Sequence, residues 1–132
     1  MPQTLEQSAG AKPTDFLPLN GTDYVAFYVG NARQAAYYYR AAFGFRLTAY
    51  CGPETGTRDT ASYVLEQGKI RLVFTSPLRA AGEVAEHIHR HGDGVRDIAL
   101  WVDDAEQAWR ETTARGAVSV REPAVSEDQH GR

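Results

Sequence analysis

The chain has 132 residues, a length that fits one domain with its own hydrophobic core. Its composition of 42% apolar and 23% charged residues is ordinary for a globular protein, and a net charge of −3 argues against a nucleic-acid partner. No apolar run reaches the roughly 18 residues of a membrane span, and the single cysteine, Cys51, excludes an internal disulfide. These features predict a cytoplasmic protein that neither crosses nor binds a membrane.

The first part of the chain predicts a β-α-β-β-β unit. Residues 1–18 lack periodicity and are expected to form a flexible leader. An apolar strand at 24–29 precedes a helix, which Asn31 can cap at its start and Gly44 can end in a left-handed conformation. A strand follows, and two more strands joined at Gln67–Gly68 have the composition of a hairpin. This first module covers about 22–78.

The second part of the chain begins in the same way. A short linker helix at about 81–91 ends at Gly92, and "GVRDIALWV" reads as a strand. Asp103 or Asp104 can cap the following helix, which Gly116 closes, and "AVSVREPAV" predicts one more strand. These elements form a second module, at about 94–132.

The two parts repeat each other at an offset of 73 residues. Ala26 matches Ala99, Val29 matches Val102, and the cap Asn31 matches Asp104, without a gap. The second copy has room for only one strand after its helix. We therefore predict an α+β fold of paired β-α-β-β-β modules, with the second module truncated. A fragment of a longer protein is the favoured explanation, and a small protein completed by another subunit is the alternative.

This order of elements resembles the vicinal-oxygen-chelate superfamily, which includes glyoxalases, bleomycin resistance proteins and dioxygenases. From about residue 19 onward, the residues are similar to the N-terminal domain of the 4-hydroxyphenylpyruvate dioxygenase family. The most specific piece is "HGDGVRDIA", placed shortly after "RLVFTSPL". Hydroxymandelate synthases share this domain and much of that motif, so they stay an alternative.

The resemblance implies a parent enzyme that uses non-haem Fe(II) and O2 on an aromatic 2-oxo acid. Such an enzyme converts 4-hydroxyphenylpyruvate to homogentisate and CO2 in tyrosine catabolism and is expected to be a homo-oligomer. The family's iron ligands, two histidines and a glutamate, lie in a C-terminal domain. The matching positions here fall on Tyr24 and Asp97, which the 73-residue offset also relates. A phenol and a lone carboxylate are poor Fe(II) ligands, so the segment is expected to bind no iron and to be inactive alone.

Other candidate residues have simpler interpretations. His87 and His91 have the i, i+4 spacing that binds zinc in HExxH motifs, but no third ligand is evident. A solvated helix end explains both histidines. Asp93 between two glycines is typical of a turn, and Cys51 lacks an activating histidine nearby in sequence.

A different class of function also fits the pattern. A stand-alone, drug-sequestering binding protein could act as a strand-exchanged dimer with a cleft between two cupped sheets. Trp101 and Tyr24 would then form aromatic walls of that cleft. The coding sequence beyond Arg132 discriminates between this class and the dioxygenase.

Overall fold

The computed structural model describes residues 14–126 and confirms the α+β fold. The elements are β1 (Gly21–Tyr28), α1 (Ala32–Phe43), β2 (Arg46–Cys51), β3 (Thr60–Gln67), β4 (Ile70–Pro77), α2 (Glu83–His91), β5 (Gly94–Trp101) and α3 (Ala105–Ala114). They belong to two compact units. One is Asn20–Trp101, and the other combines Met1–Leu19 with Val102–Arg132, of which residues 14–19 and 102–126 are described. Within residues 14–126, no helix combines the length and the apolar character that crossing a membrane requires.

The boundaries of α1 follow from its two end residues, as the sequence predicts. The side chain of Asn31 accepts a hydrogen bond from the backbone N–H of Gln34 at 3.0 Å, which satisfies a free donor of the first turn. Gly44 ends the helix with φ 76°, a left-handed conformation that a side chain disfavours. Both predicted caps are therefore confirmed.

The larger unit is built on one five-stranded sheet with the order β2-β3-β4-β1-β5. Neighbouring strands are antiparallel except for β1 and β4, which run parallel. The predicted hairpin is confirmed: Gln67 of β3 pairs with Ile70 of β4, and Gly68 turns the chain with φ 56°. Together with α1, the strands β1 to β4 complete the first β-α-β-β-β module.

The pairing of β1 with β5 shows the internal repeat directly. Val25 pairs with Ile98, its own equivalent at the 73-residue offset. The register is interrupted at Asp23 on β1 and at Arg96 on β5, and these two bulged positions are also 73 residues apart. Every other pair in this register maps onto another pair when the two strands are exchanged. A local two-fold axis therefore passes through the Val25–Ile98 pair.

The hydrophobic core of this unit lies between α1 and one face of the sheet. Leu65 and Phe74 are its largest fully buried side chains. Phe27 stacks on Phe74 with ring centres 5.1 Å apart, and Tyr39 of α1 also stacks on Phe74 at 5.1 Å. Because side chains alternate along a strand, the neighbours of Phe27 on β1 point to the opposite face.

Helix α2 packs on that opposite face. Tyr28 follows Phe27 on β1, and its ring meets the ring of His87 of α2 edge-on, with centres 5.2 Å apart. The two helices of this unit therefore lie on different sides of the sheet. The linker helix predicted at 81–91 is confirmed, with a start two residues later than expected.

The smaller unit contains α3 and the chain segments beside it. Asp104 caps α3 by accepting hydrogen bonds from the N–H groups of Glu106 and Gln107 at 2.9 and 3.0 Å. The guanidinium of Arg115 lies 3.5 Å from the centre of the Phe16 ring, a cation–π contact. Phe16 belongs to the end of the predicted leader, and residues 1–13 of that leader lie outside the described residues.

The strand predicted from Ala117 onward is wrong. Residues 117–126 have no regular secondary structure, and Val118 and Val120 are 91% and 96% exposed. Their alternation matches a strand, but a strand forms only where a neighbour accepts its backbone hydrogen bonds. The indole N–H of Trp109 instead donates to the Ser119 hydroxyl at 2.8 Å. The last part of the second predicted module, residues 127–132, lies outside the described residues.

Candidate functional site

Tyr24 and Asp97, the predicted positions of a degenerate metal site, lie on one face of the sheet. Tyr24 pairs with Ala99 and Ala26 pairs with Asp97, so the four side chains project to the same side. Tyr24 and Asp97 are diagonal neighbours across the local two-fold axis, a relation that puts Cα atoms about 7–8 Å apart. Tyr24 is half-buried and Asp97 is exposed. Tyr24 and Asp97, which the family resemblance indicated and the 73-residue offset also relates, are therefore neighbours on the sheet.

The donor set at this place does not fit Fe(II). It offers one phenol and one carboxylate, flanked by two alanines with no donor atoms. Non-haem iron in oxygenases takes two histidines and a carboxylate on one side of the ion. Among residues 14–126, no group of three or more His, Cys, Asp or Glu side chains is arranged to hold a metal ion. We therefore assign no iron-dependent chemistry to Tyr24 and Asp97.

Trp101 lies on the same face of the sheet as Tyr24. Trp101 lines a shallow hollow of about 200 Å³ at the hairpin end of the sheet, together with the charged side chains of Asp23, Glu66, Lys69 and Arg71. Tyr24 is not among the lining residues. The cleft expected between two cupped sheets of a strand-exchanged dimer stays a prediction.

Arg71 joins three strands at the same hollow. Its guanidinium donates to the carboxylate of Glu66 on β3 at 2.7 Å and to that of Asp23 on β1 at 2.8 Å. These two carboxylates, Glu66 first, raise the pKa of Arg71. Sequence reasoning missed this group because Asp23 lies 48 residues from Arg71, and only the parallel pairing of β1 with β4 brings them together.

Asp93, the predicted turn residue, also bridges two distant parts of the chain. Its carboxylate accepts a hydrogen bond from the backbone N–H of Gly30 at 2.8 Å. Gly30 belongs to the turn between β1 and α1, and Asp93 directly precedes β5. The bond closes the end of the antiparallel pair that starts at Tyr28 and Gly94. Asp93 of the "HGDG" motif therefore joins the start of β5 to the end of β1.

Cys51 is engaged in a local turn. Its sulfur lies 2.9 Å from the hydroxyl oxygen of Thr57, and hydrogen bonds from Thr57 and then Thr55 lower the pKa of the thiol. The turn itself contains a short 3-10 helix at Pro53–Thr55.

A cluster of polar side chains lies along α2. The His87 and His91 rings lie 4.9 Å apart, centre to centre. Arg96 of β5 lies over the Tyr28 ring at 5.8 Å and pairs with Glu83 of α2 at 3.2 Å. Burial, followed by the charge of Glu83, raises the pKa of Tyr28. The Nδ1 atom of His87 is buried and has no hydrogen-bond partner among the described residues.

Comparison with known proteins places these features in a family. A family described as "Glyoxalase/Bleomycin resistance protein/Dioxygenase superfamily" matches residues 23–132. The chain is 49% identical over 114 residues to the 4-hydroxyphenylpyruvate dioxygenase of Dictyostelium discoideum, covering 86% of this chain and 31% of that protein. It is 46% identical over 110 residues to the enzyme of that name from Xenopus tropicalis, covering 83% of this chain and 28% of that protein.

Solved structures give the same fold. A mutant of 4-hydroxymandelate synthase from Streptomyces coelicolor superposes with a TM-score of 0.80 at 32% identity, covering 87% of this chain and 34% of that one. A methylmalonyl-CoA epimerase from Mycobacterium tuberculosis superposes with a TM-score of 0.69 at 19% identity, covering 92% of this chain and 79% of that one, and supports the fold alone. The chain spans about a third of the length of the curated relatives it matches. The resemblance to the N-terminal domain of the 4-hydroxyphenylpyruvate dioxygenase family, which the residues indicated, is confirmed.

Proposed function

Because the chain belongs to the glyoxalase, bleomycin resistance protein and dioxygenase superfamily, we propose that it is the N-terminal part of a 4-hydroxyphenylpyruvate dioxygenase. The parent enzyme converts 4-hydroxyphenylpyruvate and O2 to homogentisate and CO2, in tyrosine catabolism. The observation that carries this proposal is 49% identity, over 86% of the chain, to a protein of that name. Identities of 38% to 46% to five further proteins of the same name support it.

In this proposal the chain has a structural role and the parent's Fe(II) lies elsewhere. The poor donor set of Tyr24 and Asp97 supports this division, because a phenol and one carboxylate do not replace two imidazoles. Fe(II) supplies oxygen activation in the parent enzyme. The segment shapes and shields the catalytic part and contributes to contacts in a homo-oligomer. We place the enzyme in the cytoplasm.

Hydroxymandelate synthase is the second candidate, favoured by the structural match with a TM-score of 0.80. Such an enzyme uses the same substrate and O2 but hydroxylates the benzylic carbon. The product distinguishes the two. The full-length enzyme, incubated anaerobically with Fe(II) and substrate and then exposed to O2, is expected to yield homogentisate on chromatography. Hydroxymandelate as the product would replace the first proposal with the second.

The structural role of the segment has its own test. In the full-length enzyme, Tyr24→Phe and Asp97→Asn are expected to leave the iron content and kcat unchanged. Each variant removes a potential ligand atom and keeps the size of the side chain. Loss of iron in either variant, with retained fold, would contradict the assignment of the iron site to another part of the protein.

A further inference from the structure

We propose that the last two turns of α2 form a binding site for a divalent transition-metal ion of the zinc, nickel or copper type. The imidazoles of His87 and His91 are the protein ligands, and water completes the coordination. The proposal does not depend on the identity of the parent enzyme. The proposed site has two protein ligands, and both lie on one helix.

The distance between the two rings matches that of a chelating pair. His87 and His91 are four residues apart on a helix and therefore project from the same side of it. At a nitrogen–metal distance of about 2.0–2.1 Å, the ion lies about 3.2 Å from each ring centre, and an angle of about 90–110° at the metal then separates the centres by about 4.5–5.3 Å. The observed separation is 4.9 Å. The separation of the two rings is thus compatible with one shared ion.

The ring of His87 is held in place before any ion binds. It packs edge-on against Tyr28, with an angle of 88° between the two ring planes. Its Nδ1 atom is buried and has no hydrogen-bond partner among the described residues. The ion is therefore expected to bind the other ring nitrogen, Nε2, while Nδ1 keeps the proton. A preorganised ligand loses less conformational freedom on binding.

The surroundings of the pair do not repel a cation. A shallow cavity of about 190 Å³ is lined by both histidines and by Glu83, Glu86, Arg90 and Arg96. Two carboxylates thus balance two guanidinium groups. Imidazole nitrogen favours borderline transition metals, whereas calcium and magnesium require oxygen ligands. The site is therefore expected to discriminate against hard cations.

Calorimetric titration of zinc into the metal-free 132-residue chain tests the proposal. One zinc ion per chain is expected, and His91→Gln should weaken its binding by at least about tenfold, the lower range seen when only an outer-shell partner of a metal ligand is lost. His91 is exposed, so its replacement should preserve the fold, which circular dichroism checks. His89→Gln is the matched control, because His89 lies on the same helix between the two ligands. Cys51→Ser removes the one thiol that competes for zinc.

Two further measurements make the outcome decisive. Zinc should shift the imidazole resonances of His87 and His91 together in nuclear magnetic resonance spectra, and magnesium should shift neither. An excess of a chelator should reverse these shifts, because it removes the bound ion. Zinc binding that His91→Gln leaves unchanged, or that His89→Gln or Cys51→Ser abolishes, would overturn the proposal.

Discussion

Strands β1 and β5 are equivalents in the internal repeat, yet they differ in burial. From position 23 to its end β1 is half-buried throughout, whereas most positions of β5 are exposed. At the local two-fold axis Val25 is half-buried and its partner Ile98 is 58% exposed. β1 has neighbours on both sides, β4 and β5, while β5 pairs only with β1 in the described sheet. Similar strand sequences thus acquire different burial from their neighbours.

This difference concentrates the stability of the larger unit in its first module. Apolar side chains stabilise a fold roughly in proportion to the area that they remove from water, at about 25 cal/mol per Å². Leu65 and Phe74 have nearly all of their area removed, and Leu100 of β5 is still 52% exposed. A substitution in the buried core should therefore lower the free energy of unfolding more than a substitution on β5.

The largest effect is expected at Phe74. Phe74→Ala should lower the free energy of unfolding by about 3–5 kcal/mol, because it leaves a cavity under Tyr39 and beside Phe27. Ile98→Ala, on the exposed strand, should lower it by less than about 1 kcal/mol. Urea denaturation followed by circular dichroism measures both values. Equal costs would show that β5 is buried as deeply as β4.

A smaller effect is expected at the bond that joins the ends of β1 and β5. Asp93→Ala should lower the free energy of unfolding by about 1–2 kcal/mol, because the Gly30 N–H loses its charged acceptor. Asp93→Asn should cost less, since an amide oxygen can still accept the bond. Asp97→Asn, on the strand that follows Asp93, is the control and should lie within about 0.5 kcal/mol of the parent chain. An Asp93→Ala variant with an unchanged free energy of unfolding would mean that water replaces the carboxylate as the acceptor without loss of stability.

Sequence reasoning succeeded where the determinants are close together in the chain or repeated along it. The Asn31 cap and the Gly44 end of α1 depend on a single helical turn, and the hairpin depends on adjacent residues. The 73-residue offset placed Tyr24 and Asp97 in equivalent positions, and the register then put both on one face. Local signals thus predicted the helix ends and the hairpin, and the repeat related the two positions of the candidate site.

Sequence reasoning failed where a conformation or a hydrogen bond depends on residues that are distant in the chain. The segment from Ala117 has the alternation of a strand but no strand to pair with among the described residues. The bonds of Asp93 to Gly30 and of Arg71 to Asp23 join residues 63 and 48 positions apart. Neither follows from local pattern, because both require the strand order to be known first.

The two helix caps related by the repeat offer a more local comparison. Asn31→Ala and Asp104→Ala should each remove about 1 kcal/mol of helix stability, since each leaves free N–H groups in a first turn. Hydrogen exchange measured by mass spectrometry should show faster exchange in α3 for Asp104→Ala. For Asn31→Ala the core strands should exchange faster as well, because α1 covers them. An α3 that exchanges at the parent rate in the Asp104→Ala variant would contradict the role of this cap.

The smallest effect is expected at the other edge of the sheet, on β2. The Tyr50 hydroxyl donates to the Glu54 carboxylate at 2.6 Å, and this bond raises the pKa of Tyr50 to about 12 and lowers the pKa of Glu54. A raised phenol pKa stabilises the fold fully below the ordinary value of 10.0, and the contribution disappears as pH rises towards 12. The lowered pKa of Glu54 acts oppositely, since its contribution is present above the ordinary carboxyl pKa and disappears as pH falls.

Titration of the Tyr50 ring by carbon-13 nuclear magnetic resonance checks this last prediction. Glu54→Gln should return the pKa of Tyr50 towards 10.0, because an amide does not favour the protonated phenol as a carboxylate does. Glu86→Gln, on α2, is the control and should leave that pKa unchanged. An unchanged pKa of Tyr50 in Glu54→Gln would disprove the bond as its cause. Tyr50 and Glu54 are four residues apart, so their bond depends on the local turn. The burial of β5, in contrast, depends on the elements that lie beside it in the fold.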